Sequence, residues 1–306
     1  MRAWFKVRTG GALLALLFVF FFATSLSGAP RRIVSLSPVG TEFLFALGLG
    51  DRLVGVTDFC DTPPEARTKP RLGGFAALNL EALLAAETDL IVFQDLHLQF
   101  LPQIERLGIP YVLLKQNSVE EVLLSVEALG RACGEEAAAA ALIGTMRAEI
   151  AALAEKVAAT ASRPRVLLAV SRELSEPRIT SFYAAGRATF YNELIELAGG
   201  ANAVGPGGAD YPLLSVEGLL SLNPEVIVDL IGDRNFYHSM EPVDAEYVFD
   251  RERLARQWTE SAKVSAVTEG RVHILEGTLF LRPGPRIGRI LRAFAEILHP
   301  EIEWIP

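Results

Sequence analysis

Asn79-Leu-Glu-Ala-Leu-Leu-Ala-Ala-Glu-Thr-Asp-Leu-Ile-Val-Phe93 aligns without a gap on Ser215-Val-Glu-Gly-Leu-Leu-Ser-Leu-Asn-Pro-Glu-Val-Ile-Val-Asp229. Five of the fifteen positions are identical and five more are close substitutions. Each copy reads as a capped helix followed by a short buried strand. A second pair precedes the first in the same order, Ala46-Leu-Gly-Leu-Gly-Asp-Arg-Leu-Val-Gly55 and Glu196-Leu-Ala-Gly-Gly-Ala-Asn-Ala-Val-Gly205. Helix-then-strand is common in α/β chains, but two motifs repeated in one order predict two related lobes.

Between the copies the texture changes. Residues 135–161 contain no proline and one glycine, Gly144, and Leu142, Met146, Ile150, Leu153 and Val157 recur at helical spacing. One continuous helix of that length would reach about 40 Å, more than a small lobe requires, and Ser162-Arg-Pro164 ends it. On either side, short apolar runs (residues 32–36, 53–57, 89–93, 111–114, 166–170, 226–231 and 272–275) alternate with amphipathic segments. This pattern predicts an α/β fold with parallel sheets covered on both faces. The expected architecture is two Rossmann-like lobes joined by a long helix, with a cleft between them. The expected boundaries are 1–29 for a leader, 30–134 for the first lobe, 135–162 for the bridge and 163–306 for the second lobe.

The leader is read from its own pattern. Arg2, Lys6 and Arg8 precede the apolar run from Ala12 to Ala23, and Thr24-Ser-Leu-Ser-Gly-Ala29 follows. Basic, apolar, then small residues is the order of a secretory signal peptide, and the apolar core falls short of the roughly 20 residues of a membrane span. Ser27 and Ala29 suit the small positions before a cut, although Pro30 would follow it. No cysteine lies there, so lipid attachment is not expected. The chain carries −8 overall, and past the leader twenty-six cations face thirty-seven acids, a net −11. So acidic a body is a poor partner for nucleic acid. Cys60 and Cys133 either pair or are small buried hydrophobes; spacing does not decide.

Catalytic signatures are missing. The sequence has no GxxxxGK[ST], GxSxG, HExxH or CxxC, and Gly48-Leu-Gly50 fits a helix end better than a dinucleotide loop. His273 lies in a strand-like run and His299 beside Pro300, whereas His97 and His238 fall in loops after strands. An enzyme is not expected, and no catalytic or metal-ligating set is assigned.

Arg32-Ile-Val-Ser-Leu-Ser-Pro38 with Thr41-Glu42, Val54-Gly-Val-Thr-Asp-Phe-Cys-Asp-Thr-Pro-Pro64, Leu72-Gly-Gly-Phe75, Asn79-Leu-Glu81, Ser215-Val-Glu217 and Arg282-Pro-Gly-Pro-Arg-Ile287 occur in this order. Together they resemble the periplasmic binding proteins for vitamin B12 and ferric siderophores, the helical-backbone (class III) receptors of ABC importers. The resemblance spans residues 31–299. It implies a monomeric periplasmic receptor that captures a metal chelate, cobalamin or a ferric siderophore, and delivers it to a permease dimer driven by separate ATPase subunits. Haem or a free Zn or Mn ion is the alternative ligand, and an exported enzyme is the alternative from another class. The resemblance further implies that Glu81 and Glu217, one on each lobe, dock to arginine pockets of the permease. Loops leaving the C-terminal ends of strands nominate Phe59, Cys60, Phe75, Gln94, Asp95, His97, Tyr183, Tyr237, Phe280 and Arg282 as ligand contacts. Phe59 and Phe75 match aromatic positions of the B12 binders, whereas Gln94-Asp95 stands where an aromatic residue is expected. Residues 233–250, with Phe236, Tyr237, His238 and Tyr247, form a long aromatic segment there.

Overall fold

The computed structural model describes residues 28–74, 79–232 and 250–304. Phe75, Tyr237 and most of the 233–250 segment lie outside them, as does nearly all of the expected leader. The first lobe runs β1 (Ile33–Ser35), α1 (Pro38–Ala46), β2 (Leu53–Val56), α2 (Leu80–Ala85), β3 (Leu90–Gln94), α3 (Leu101–Leu107), β4 (Tyr111–Leu114) and α4 (Val119–Cys133). Its strands are parallel in the order β2-β1-β3-β4. β3 is continuous apolar sequence because both its faces are covered: Leu90 and Val92 enter one core cluster, Ile91 and Phe93 another.

The bridge is α5 (Glu136–Ala158). Its 23 residues span about 35 Å at 1.5 Å per residue. It leaves α4 through Gly134, at φ +72°, a conformation glycine adopts without a Cβ clash. One turn earlier, a Cβ on Gly130 would stand 2.4 Å from the Cβ of Ala139, so Gly130 allows α4 and α5 to touch at that corner. Among the described residues α5 alone is long and apolar enough to cross a membrane. It packs against α4 and, beyond the bridge, two helices of the second lobe.

The second lobe runs β5 (Arg165–Arg172), β6 (Ser181–Ala184), α6 (Phe190–Leu197), β7 (Ala201–Asn202), β8 (Leu213–Ser215), α7 (Val216–Leu222), β9 (Val226–Ile231), α8 (Arg251–Ser261), α9 (Ser265–Thr268), β10 (Val272–Glu276) and α10 (Ile287–Leu298). Four of its strands reproduce the first sheet: β7, β5, β9 and β10 are parallel neighbours in that order. The repeat is therefore topological as well as sequential. Asn79 caps α2 through the Ala82 amide (2.9 Å) and Ser215 caps α7 through the Gly218 amide (3.3 Å). Glu87 and Asn223, aligned in the repeat, are the two non-glycine residues with positive φ among those described, +47° and +40°. Both helices thus end in the same tight turn before their strands.

The alternation predicts a wholly parallel second sheet, but β6 runs antiparallel to both its neighbours, β5 and β8. Residues 173–180 are too few for a parallel crossover, which requires a dozen or more residues, so β6 must return beside β5. One core cluster runs through the whole molecule, from Ile33, Val92 and Val112 through Met146 and Ile150 of α5 to Leu168, Val228 and Phe294.

Candidate functional site

Two sets of bonds tie the lobes together. Arg282, after β10, donates from Nη1 to Asp61 Oδ1 (2.6 Å) and from Nη2 to the Phe59 carbonyl (2.9 Å). Arg286 grips Glu42 of α1 with two bonds of 2.8 and 2.7 Å. Burial works to raise the Asp61 pKa, but the hydrogen bond and charge of Arg282 outweigh it and hold the carboxyl below its ordinary range. Elsewhere the Val119 amide, in the first turn of α4, donates to Glu193 Oε2 of α6 at 2.7 Å.

Residues adjoining these ties enclose a pocket of about 190 Å³ between the lobes. The first lobe contributes Gln94, Asp95 and Leu96 after β3 and Leu114, Gln116 and Asn117 after β4; the second contributes Phe190, Tyr191, Tyr211, Leu281 and Pro283. Both first-lobe segments leave the C-terminal ends of parallel strands, where open α/β sheets bind ligands.

The two walls differ chemically. Ser37 caps α1 by accepting from the Gly40 amide (3.1 Å), and its hydroxyl donates to Gln94 Oε1 (2.6 Å). With its oxygen so engaged, Gln94 has its amide N–H groups left to offer. Gln116 Nε2 is buried with no acceptor among the described residues. Asn117 is fixed by its backbone amide, which donates to Glu121 Oε2 (2.9 Å) while Ser118 accepts from the Glu121 amide (3.0 Å). This is the expected capping box with its return bond moved one residue outward. Burial raises the Asp95 pKa, against the opposing charge of Lys115. Across the pocket, Tyr191 offers its ring, since its hydroxyl donates to the Phe280 carbonyl (2.9 Å). Leu96 and Tyr211 stand 54% and 44% exposed and so form part of the rim. The described lining holds one carboxylate and no Lys or Arg.

Of the nominated ligand contacts, Gln94 and Asp95 line this pocket. Phe59, Cys60, His97 and Arg282 are buried outside its lining, Phe280 packs against the main core, and exposed Tyr183 pairs with Leu213 across β6 and β8. Arg282 has its charge committed to Asp61, so it holds the lobes rather than facing the pocket. His97 packs near Phe100, and burial lowers its pKa. Cys60 and Cys133 are separate buried thiols. Glu81 and Glu217 are both exposed in the first turns of their helices. The Glu217 carboxyl lies below its ordinary pKa, chiefly through its hydrogen bond with the Ser215 side chain.

Gln116 and Asn117 follow the C-terminal end of β4 and obey the same strand-end rule. Phe190 and Tyr191 open α6, and Tyr211 lies in a glycine-rich loop with no periodicity.

A two-lobed α/β molecule with a bridging helix and a cleft lined from both lobes defines a solute receptor. Its sequence from 33 to 278 matches the model of the periplasmic binding protein family, and the chain belongs to that family. It is 29% identical over 277 residues to the uncharacterized ABC transporter substrate-binding lipoprotein YvrC of Bacillus subtilis, covering 89% of this chain and 81% of that protein. It is 29% identical over 243 residues to the vitamin B12-binding protein of Photorhabdus laumondii, covering 77% of this chain and 86% of that one. A periplasmic heme-binding protein from Pseudomonas aeruginosa superposes with a TM-score of 0.74 at 25% identity, covering 90% of this chain and 95% of that structure. The protein is the substrate-binding component of an ABC transporter and not an enzyme.

Proposed function

We propose that the cleft captures a metal chelate carrying no net negative charge and edged with carbonyl oxygens, a corrinoid or a neutral ferric hydroxamate. We also propose that Glu81 and Glu217 then dock the loaded receptor on a permease dimer. One observation carries the ligand class: the described pocket lining sets carboxamides and a carboxylate against aromatic rings, with no cation. Carboxamide N–H groups suit carbonyl oxygens on the rim of a chelate, and the rings of Phe190, Tyr191 and Tyr211 suit its flat or apolar surface. The propionates of haem and the charge of a ferric catecholate would meet Asp95 with no cation in the described lining to offset it. Among the described residues no group of three or more His, Cys, Asp or Glu is placed to hold a metal ion. Ligand pockets usually enclose roughly 300–1,000 Å³, so a chelate would reach past the described walls or hold the lobes further apart.

The test is titration calorimetry of the purified protein with cyanocobalamin, a neutral ferric hydroxamate, haem, a ferric tris-catecholate, Zn²⁺ and Mn²⁺. Saturable binding of the corrinoid or hydroxamate is expected, weakened at least tenfold by Gln116→Leu. Tighter binding of haem, the catecholate or a bare metal ion would overturn the ligand class.

A further inference from the structure

Two of the exposed large hydrophobic residues occupy the same position in the repeat. Leu84 is 57% exposed and Leu220 is 48% exposed. Each aligns with the other, and each follows an inward leucine, Leu83 or Leu219, that is fully buried. Packing accounts for the inner pair and leaves the outer pair unexplained. Singly exposed leucines are ordinary on protein surfaces. Recurrence at one repeat position, on two helices with matching caps and matching terminal turns, is not ordinary. Leu84 lies three residues after Glu81 and Leu220 three after Glu217, a spacing that places each pair on one helix face. Each lobe therefore presents a carboxylate beside an apolar side chain.

We infer that Leu84 and Leu220 are the apolar half of the permease-docking surface. The inference rests on the docking role proposed for Glu81 and Glu217 and adds a second contact to it. The occupant is the permease dimer, each half of which would offer a cation beside an apolar hollow. Two equivalent patches suit a partner with two equivalent halves. The carboxylates disfavour the other occupants: a second copy would oppose like charges, and an anionic bilayer would repel them. Charge governs encounter and salt dependence, whereas desolvated apolar anchors govern residence. The two contacts therefore have separable signatures.

The experiment measures binding of the receptor to its cognate permease–ATPase complex in nanodiscs, from 50 to 500 mM salt. Wild type is compared with Leu84→Ser plus Leu220→Ser and with Glu81→Gln plus Glu217→Gln, each first shown to melt like wild type. The leucine variant is expected to bind at least tenfold more weakly, through faster dissociation, with the salt slope unchanged. The glutamate variant is expected to lose affinity and flatten the salt slope. A leucine variant within twofold of wild type, beside a weakened glutamate variant, overturns the inference and leaves the docking role standing. If both variants bind like wild type, the docking role itself fails. Wild-type dimerisation, or binding to empty nanodiscs, that the leucine changes abolish would reassign the patch and also overturn the inference.

Discussion

Replacing Arg282 by leucine removes the centre of one inter-lobe tie, and its cost follows from what is left behind. The side chain is 8% exposed and donates to Asp61 Oδ1 and the Phe59 carbonyl, with Glu42 Oε1 at 3.7 Å. Glu42 keeps its two bonds from Arg286, so its loss is small. Asp61, 18% exposed, keeps the Thr62 hydroxyl as a side-chain donor, and the Phe59 carbonyl loses its guanidinium. Removing one partner of a buried ion pair costs about 3–5 kcal/mol. Some water can reach Asp61, which places the expected loss near 3 kcal/mol, at the low end of that range. Urea unfolding of wild type, Arg282→Leu, Asp61→Asn and the double variant measures it, with the double variant closer to wild type than the two separate losses add up to. The pH dependence has a definite sign. The folded pKa of Asp61 is depressed, so its contribution is complete above the unfolded value, about 3.9, and is lost as pH falls through the folded one. The gap between wild type and Arg282→Leu should therefore narrow below about pH 4. A loss under about 1 kcal/mol at neutral pH, the range of an exposed pair, would refute the view that this cluster braces the lobes.

Burial pushes the Cys60 thiol up and the Cys133 thiol up to about 12. Neither should be alkylated by iodoacetamide at pH 8 in the native protein, and both should be alkylated in urea; mass spectrometry counts the adducts, and a disulfide would contradict the structure. Trp258→Phe removes the indole N–H that donates to buried Asp229 at 2.8 Å, leaving Arg172 on the same oxygen. A hydrogen bond to a charged group is worth about 1.5–3 kcal/mol, and a denaturation midpoint shift should register that loss, whereas no shift would show that Asp229 carries no charge needing the bond.

The repeat was legible because it was written twice in residues that set local geometry: a capping side chain, an inward leucine and a β-branched strand. The bridge was legible because its period survives across the proline-free stretch between Gly134 and Pro164, within which α5 runs from Glu136 to Ala158. The reversed strand β6 was not, since its direction depends on the length of connection 173–180 and not on strand composition. The site was legible on one side only. Gln94 and Asp95 follow directly from the rule that strands point their C-terminal ends at the cleft, whereas Tyr211 reaches the pocket through a loop whose path no local pattern records. For Arg282, sequence offers its charge but not the distant Asp61 that takes it. The same limit applies to His97, whose loop position does not reveal that its ring is buried.

The repeat also divides the labour of the two surfaces. The halves agree in the core, in Leu83 with Leu219 and in their strands, and also on the outside, in Glu81 with Leu84 and Glu217 with Leu220, the pairs proposed for docking. Where they differ, they differ at the cleft. Gln94 and Asp95 line the pocket, but the aligned residues of the second lobe, Leu230 and Ile231, are buried in its core. Phe93 packs in an apolar cluster, while its counterpart Asp229 is buried against Arg172 and Trp258. Tyr211 lies just before β8, a strand with no equivalent among the described strands of the first sheet. A chelate lacks two-fold symmetry in its periphery, so a site built from one polar wall and one aromatic wall can orient it, which two identical walls could not. On this reasoning, exchanging Gln94-Asp95 for Leu-Ile should abolish ligand capture and leave permease docking intact, and equal loss of both would show that cleft and docking face are not separable.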